Sequence, residues 1–278
     1  MNHHGRNTVE DETSQLNYIQ DSDLFLTQKP YEVLSEVPPG LKKRNFELGL
    51  GSPEIIHDLR GQEAEFDLDR NGFQIVNHAL ETAIFNEETV ANEYLPAVEV
   101  LLKSLEPGID TYIFNWTLRS SNLPDPKPGT SIDLNDPMLR LKPVHAVHVD
   151  QSPHAAIKRA RSILGDDPST LDNKRIRVTK SVQQPGDSRK GMLTGNRSVW
   201  RPIRNAVENY PLAVCDGSTV PQEKLIQVDH VRKYYIGESL YPLQSASYRW
   251  YYLNRQTPDE VLLFKIFDSK ENVQAKCK

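Results

Sequence analysis

The sequence predicts an α+β, β-rich protein in which helices pack outside a strand-built core. Three observations carry this. Apolar residues at helical spacing are concentrated in the middle of the chain, over 86–105 and 153–164. Short β-branched and aromatic runs dominate the C-terminal third. The 19 prolines outnumber the 14 glycines, which favours many loops over long helices.

A chain of 278 residues suits one large β-rich domain, expected over 16–278 behind a polar tail, 1–15, expected to be disordered. Hydrophobic residues at 37% and charged residues at 26% are ordinary for a soluble protein. The net charge of -5 argues against a nucleic-acid partner, because phosphate binding needs a basic surface. The basic run Lys158-Arg159-Ala160-Arg161 reads as the solvated face of a helix, offset by Asp166 and Asp167. Two cysteines, Cys215 and Cys277, make neither a disulfide framework nor a zinc site. The start of the chain has no apolar core for a signal peptide, and no stretch reaches the ~20 apolar residues of a membrane span. The expectation is a cytoplasmic protein with no membrane contact.

Leu16 to Gly40, with Pro30, Pro38 and Pro39, reads as an extended arm over the core. Phe66 to Val76 alternates around Asn71-Gly72, which predicts two strands joined by a tight turn. Asp58 with Asp67 or Asp69 could be paired carboxylates, but a turn with solvated acids explains them better. Val90, Tyr94, Leu95, Val98, Leu101, Leu102 and Leu105 predict a helix that Pro96 divides or kinks, ended by Pro107-Gly108. Thr111 to Leu118 reads as a strand, residues 120–142 as a loop, and Val144 to Val149 as a short strand. Ser152-Pro153 opens the next helix: serine caps free amides and proline tolerates the first helical position. Further strands are expected at Val199–Ile203, Leu212–Cys215, Lys224–Val231, Tyr248–Leu253 and Val261–Phe267.

The stretch richest in chemistry is His145-Ala146-Val147-His148-Val149-Asp150. Residues two apart on extended backbone share a face, so His148 and Asp150 can approach one cation together. One imidazole and one carboxylate, with a second, distant histidine, form the facial triad of non-haem Fe(II) oxygenases. The competing reading is a plain hydrogen-bonded pair. Of the later histidines, His154 is too near to complete the usual geometry, which leaves His230 as the candidate third ligand. Cys215, in an apolar run, reads as a buried structural thiol rather than a nucleophile.

His148-Val149-Asp150-Gln151-Ser152-Pro153, followed by Ala155-Ala156, resembles the iron motif of the fungal AsaB-type hydroxylase/desaturase family, which includes gibberellin desaturase. Val199-Trp200-Arg201-Pro202, Pro211 to Asp216, Arg249-Trp250-Tyr251-Tyr252 and Thr257 to Lys265 resemble further family signatures, as do Lys29-Pro30-Tyr31 and Asp58 to Gly61 upstream. The resemblance covers roughly residues 16 to 269. It implies a double-stranded β-helix (jelly-roll) core flanked by helices, shortened at its C-terminus, since neither a histidine nor an arginine follows Asp268. It implies a 2-oxoglutarate-dependent Fe(II) hydroxylase or desaturase of fungal secondary metabolism acting on a small molecule. His148 and Asp150 would hold the iron, and Trp200, Arg201, Trp250 and Tyr251 would line the substrate or co-substrate pocket. The alternative is a catalytically impaired paralogue, acting as a small-molecule binding protein or as the structural partner in a homo- or heterodimer.

Overall fold

In the computed structural model the described residues are 9–34, 37–113, 116–124, 136, 138–164, 175–178, 198–232 and 235–275. In chain order they hold β1 (Glu12–Ser14), β2 (Asn17–Ile19), β3 (Tyr31–Val33), β4 (Leu48–Leu50), β5 (Glu54–Asp58), β6 (Phe73–Asn77), α1 (Glu87–Thr89), α2 (Leu95–Leu105), β7 (Leu118–Arg119), β8 (Arg140–Leu141) and α3 (Pro153–Leu164). These are followed by β9 (Arg177–Val178), β10 (Ser198–Trp200), β11 (Val214–Cys215), β12 (Leu225–Arg232), β13 (Tyr235–Pro242), β14 (Trp250–Tyr252), β15 (Glu260–Phe264) and β16 (Phe267–Asp268).

The strands assemble as a four-stranded sheet, β1-β5-β14-β11, two three-stranded sheets, β10-β15-β6 and β13-β12-β3, and three two-stranded pairs. β15 carries Val261-Leu262-Leu263 buried on both faces. Val261 and Leu263 meet Val98, Leu101 and Leu102 of α2, while Leu262 packs with Leu59, Phe73 and Leu253. A strand covered on both sides needs such an uninterrupted apolar run, and the helix supplies one of the covers. A second cluster joins Tyr18, Ile56, Cys215, Tyr248, Trp250 and Tyr252, with Val147 packed against it. Cys215 is thus a buried thiol, as expected; Cys277 lies outside the described residues.

Several expectations are corrected. Of the supposed tail, residues 1–8 lie outside the described residues, while Glu12–Ser14 pair with β5 and the Asp11 carboxylate accepts from the Asp58 amide at 2.9 Å. A polar segment is ordered here by hydrogen bonds rather than by apolar burial. The arm is no mere cover, because Tyr18 and Ile19 are buried and β3 lies parallel to β12. Asp58 is not a solvated acid: it is buried and accepts from the amides of Glu10, Arg60 and Asn254. Phe66 to Val76 forms only β6, which pairs with β15. The Asp67 side chain takes the amides of Asp69 and Arg70, a local turn that competes with a hairpin ladder. Ahead of Pro96, residues Val90–Tyr94 form a π-helical turn that absorbs the missing amide without breaking the path from α1 into α2. Among the described residues of 111–118, only Leu118 is in a strand. The run expected over Val261–Phe267 ends at Phe264 and resumes as β16 after Lys265 and Ile266. β13 was not anticipated.

Candidate metal centre

Residues 144–149 do not form the expected strand. They run extended with isolated bridges, Ala146 to Asn17 and Val149 to Leu240. The amide of Val147 donates to the Asn17 carbonyl at 2.8 Å, and Val149 and Leu240 exchange hydrogen bonds of 2.7 and 3.0 Å. Val147 and Val149 turn into apolar clusters, Val149 with Leu240 and Ile266. Alternation then sends His148 and Asp150 the other way. They converge: His148 Nε2 stands 3.5 Å from Asp150 Oδ1, with side chains 24% and 19% exposed.

His148 Nδ1 lies 2.8 Å from the Ala146 carbonyl oxygen. A carbonyl only accepts, so Nδ1 carries the proton, and in the neutral ring the Nε2 lone pair is the atom turned towards the carboxylate. A histidine fixed by a main-chain carbonyl through its remote nitrogen is the usual support of a metal-ligating imidazole. Two ligand atoms at ~2.1 Å on adjacent positions of a cation stand roughly 3 Å apart, close to the separation seen here. The pair therefore fits two positions around a divalent cation.

Ser152 opens α3 as foreseen: its hydroxyl accepts from the Ala155 amide at 3.1 Å and its carbonyl from the Ala156 amide at 2.9 Å. Ser152 is fully buried, and its hydroxyl donates to the Glu238 carboxylate of β13. The Ser239 hydroxyl donates to the Asp150 carbonyl at 2.8 Å. Burial works against the charged form of Glu238, yet the hydrogen bonds from Lys29 and Ser152 more than offset it and hold its carboxyl below the usual range. Arg119 lies within electrostatic reach of Asp150; desolvation pushes its guanidinium below the usual arginine range, and Asp150 opposes that. The Tyr241 hydroxyl is pushed up to about 12 by burial, with Glu32 and Asp150 adding to it.

Tyr241 stacks near two histidines, its ring 6.0 Å from His148 and 6.0 Å from His230. His230 Nε2 lies 3.4 Å from the Tyr241 hydroxyl. Among the described residues, no three His, Cys, Asp or Glu side chains are grouped to hold a metal ion, so the structure does not bring His230 to the pair. The four expected pocket residues divide between two sheets. Trp200 ends β10, and the next residue, Arg201, is buried and donates through Nη2 to the His78 carbonyl at 2.6 Å. Trp250 is a core residue of β14, and Tyr251 packs edge-on to Phe66 at 4.8 Å. The sequence reading missed Arg119, Glu238, Ser239 and Tyr241. Their only local signal is the Leu240-Tyr241 pair in a run broken by Gly237 and Pro242.

A family model described as "Oxidoreductase/YMDC permease-like domain" matches residues 16–182 and 194–278. Among curated proteins, the chain is similar to the "Hydroxylase/desaturase efuI" of Hormonema carpetanum, 28% identical with 81% of this chain and 74% of that protein covered. It is also similar to the "Fe(II)/2-oxoglutarate-dependent dioxygenase nvfI" of Aspergillus novofumigatus, 29% identical with 84% and 75% covered. A solved structure of the "iron and alpha-ketoglutarate-dependent endoperoxidase NvfI" superposes with a TM-score of 0.75 at 27% identity, over 96% of this chain and 88% of that one. The fold is therefore that of the β-rich, jelly-roll oxygenases the sequence pattern resembles. Among the described residues no helix is long and apolar enough to cross a membrane.

Proposed function

We infer that this chain, which belongs to the oxidoreductase/YMDC permease-like domain family, holds Fe(II) between His148 Nε2 and the Asp150 carboxylate. It is an oxidoreductase of the Fe(II)/2-oxoglutarate-dependent type, a hydroxylase or desaturase of fungal secondary metabolism with Fe(II) as cofactor and 2-oxoglutarate as co-substrate. The alternative of a catalytically impaired paralogue finds no support, since these relatives are named as enzymes. A small organic substrate and a cytoplasmic setting complete the proposal.

One observation carries the assignment of residues: an imidazole whose remote nitrogen is tied to a carbonyl turns its Nε2 towards a carboxylate 3.5 Å away. When bound there, iron would supply oxidising power from O2, drawing on the keto acid. The protein's part follows from its own residues. The Ala146 carbonyl keeps the imidazole in the tautomer that can ligate. The Val149–Leu240 bridge and the Ser239 hydroxyl hold the Asp150 main chain still. Arg119 places positive charge near the site, suited to an acidic co-substrate.

Anaerobic titration with Fe(II) and 2-oxoglutarate tests this. The expected result is a weak visible charge-transfer band that His148→Ala removes, together with succinate formation in air. A band of unchanged strength in His148→Ala would overturn the assignment.

A further inference from the structure

We propose that Glu238 is a positioning residue for Asp150, acting through the Ser152 hydroxyl and itself fixed by Lys29. This deepens the iron-site reading above and rests on it. Asp150 sits at a bend between the extended 144–149 segment and α3, so its direction depends on how the chain enters that helix. Four links to β13 control the entry. Val149 and Leu240 pair through their main chains, the Ser239 hydroxyl donates to the Asp150 carbonyl, the Ser152 amide donates to the Glu238 carbonyl at 2.9 Å, and the Ser152 hydroxyl donates to the Glu238 carboxylate.

Of these four, only the last involves an ionised group, and charge-assisted hydrogen bonds are about twice as strong as neutral ones. A helix needs no such arrangement for its cap: the Ser152 hydroxyl already accepts from the Ala155 amide. The donation to Glu238 is additional, and it fixes which way the hydroxyl points. A second carboxylate close to a metal-binding carboxylate is unfavourable unless its charge is answered. Lys29, from the N-terminal arm, answers it by pairing with Glu238 and also with Asp229 at 2.5 Å. This gives the Lys29-Pro30-Tyr31 motif a role: the arm reaches the iron site through one ammonium, one carboxylate and one hydroxyl.

The test measures Co(II) affinity of the full chain by its visible absorption, alongside thermal unfolding of the metal-free protein. Ser152→Gly is the key variant, because glycine caps a helix nearly as well as serine but cannot donate to Glu238. The expected result is a Co(II) affinity weaker by about 10–100-fold, the usual cost of losing an outer-sphere support, with little change in unfolding temperature. Glu238→Leu should weaken Co(II) to a similar degree, and the double variant no further than either single, since one path is being cut. Glu238→Gln keeps an acceptor oxygen for Ser152 and should retain most of the affinity. Lys29→Met should move it by less than Ser152→Gly, in the same direction. If Ser152→Gly and Glu238→Gln both bind Co(II) like the wild type while Glu238→Leu only lowers the unfolding temperature, the cluster is structural and the positioning role is overturned. If the wild type binds Co(II) no better than His148→Ala, the iron reading itself fails and takes this proposal with it.

Discussion

Where Asp268 is met by two cations in the interior, the half-buried Asp150 is met by an imidazole, His148. The Asp268 side chain has no solvent exposure; it takes bonds from Arg175 Nε at 2.9 Å and Nη2 at 2.7 Å, from Lys265 Nζ at 2.9 Å and from the Lys270 amide at 3.0 Å. Arg175 also bonds Asp69, so one network ties β16 and β9 to the turn ahead of β6. Asp150 keeps partial contact with solvent; the Ser239 hydroxyl bonds its main-chain carbonyl, and its carboxylate lies 3.5 Å from His148 Nε2 with Arg119 within electrostatic reach. Asp268 is thus tied into the fold by two cations, whereas Asp150, beside His148, is the carboxylate proposed to receive iron.

The largest effect that would sharpen this contrast is loss of activity without loss of fold. His148→Ala is expected to reduce Fe(II) affinity by more than the ~10–100-fold that an outer-sphere residue costs, and turnover with it. Its stability should change by less than about 1 kcal/mol, as the side chain is partly exposed and faces an acceptor. Paired metal titration and urea unfolding check both halves. Equal losses in the two would erase the distinction.

Asp268→Ala should do the reverse. Removing it takes a carboxylate partner from the buried Lys265 and from Arg175, which retain Asp69 at 3.9 and 2.7 Å respectively, at a cost of about 3 kcal/mol. The residual folded protein should bind Fe(II) with near wild-type affinity. A mild stability loss coupled to a large loss of Fe(II) affinity would place Asp268 on the functional side instead.

How far this contrast could be read from the sequence differs between its halves. The spacing of His148 and Asp150 was informative because extended backbone puts alternate residues on one side whether or not a ladder forms. That is why the pair converges although the predicted strand does not exist. The Ser152-Pro153 cap was legible for the same local reason. Lys29, Glu238 and Ser239 reach the site from distant parts of the chain, and β13, which carries two of them, contains a glycine and a proline that keep it from reading as a strand in the sequence. The Asp268 network was hidden as well. Lys265 sits in an apolar run that reads as one continuous strand, and nothing local says that a buried lysine interrupts it. Thr111 to Leu118 shows the opposite failure: its β-branched and aromatic residues favour a strand, but among its described residues only Leu118 meets a partner, Arg140 of β8.

A smaller effect is expected from pH. Burial acts against ionisation of Asp268, but the bonds from Arg175 and Lys265 prevail and hold its carboxyl at about 2, below the 3.8 of an unperturbed aspartate. A depressed folded-state value means that the ionised form stabilises the fold. That contribution, about 2 kcal/mol, is complete above pH ~4 and is lost as pH falls from there towards 2. Unfolding free energies measured across that window should be steeper for the wild type than for Asp268→Ala. Parallel curves would show that Asp268 is not the group responsible.

The smallest expected effect belongs to His230, the histidine that sequence spacing offered as a third ligand. It lies on β12, with Nε2 3.4 Å from the Tyr241 hydroxyl, and the described residues place it in no three-ligand group with His148 and Asp150. Its link to the site runs through the Tyr241 ring, which touches both histidines. His230→Ala removes a weak hydrogen bond and an edge contact to Tyr241 among its interactions, so the stability cost should stay at about 1–2 kcal/mol. Fe(II) affinity should shift by no more than about 3-fold, since a 1.4 kcal/mol perturbation delivered in full to the site would give only tenfold. An affinity loss matching that of His148→Ala would instead make His230 a ligand. The division between the two carboxylates would then have to be redrawn around a triad that draws on β12 as well as on the 144–150 segment.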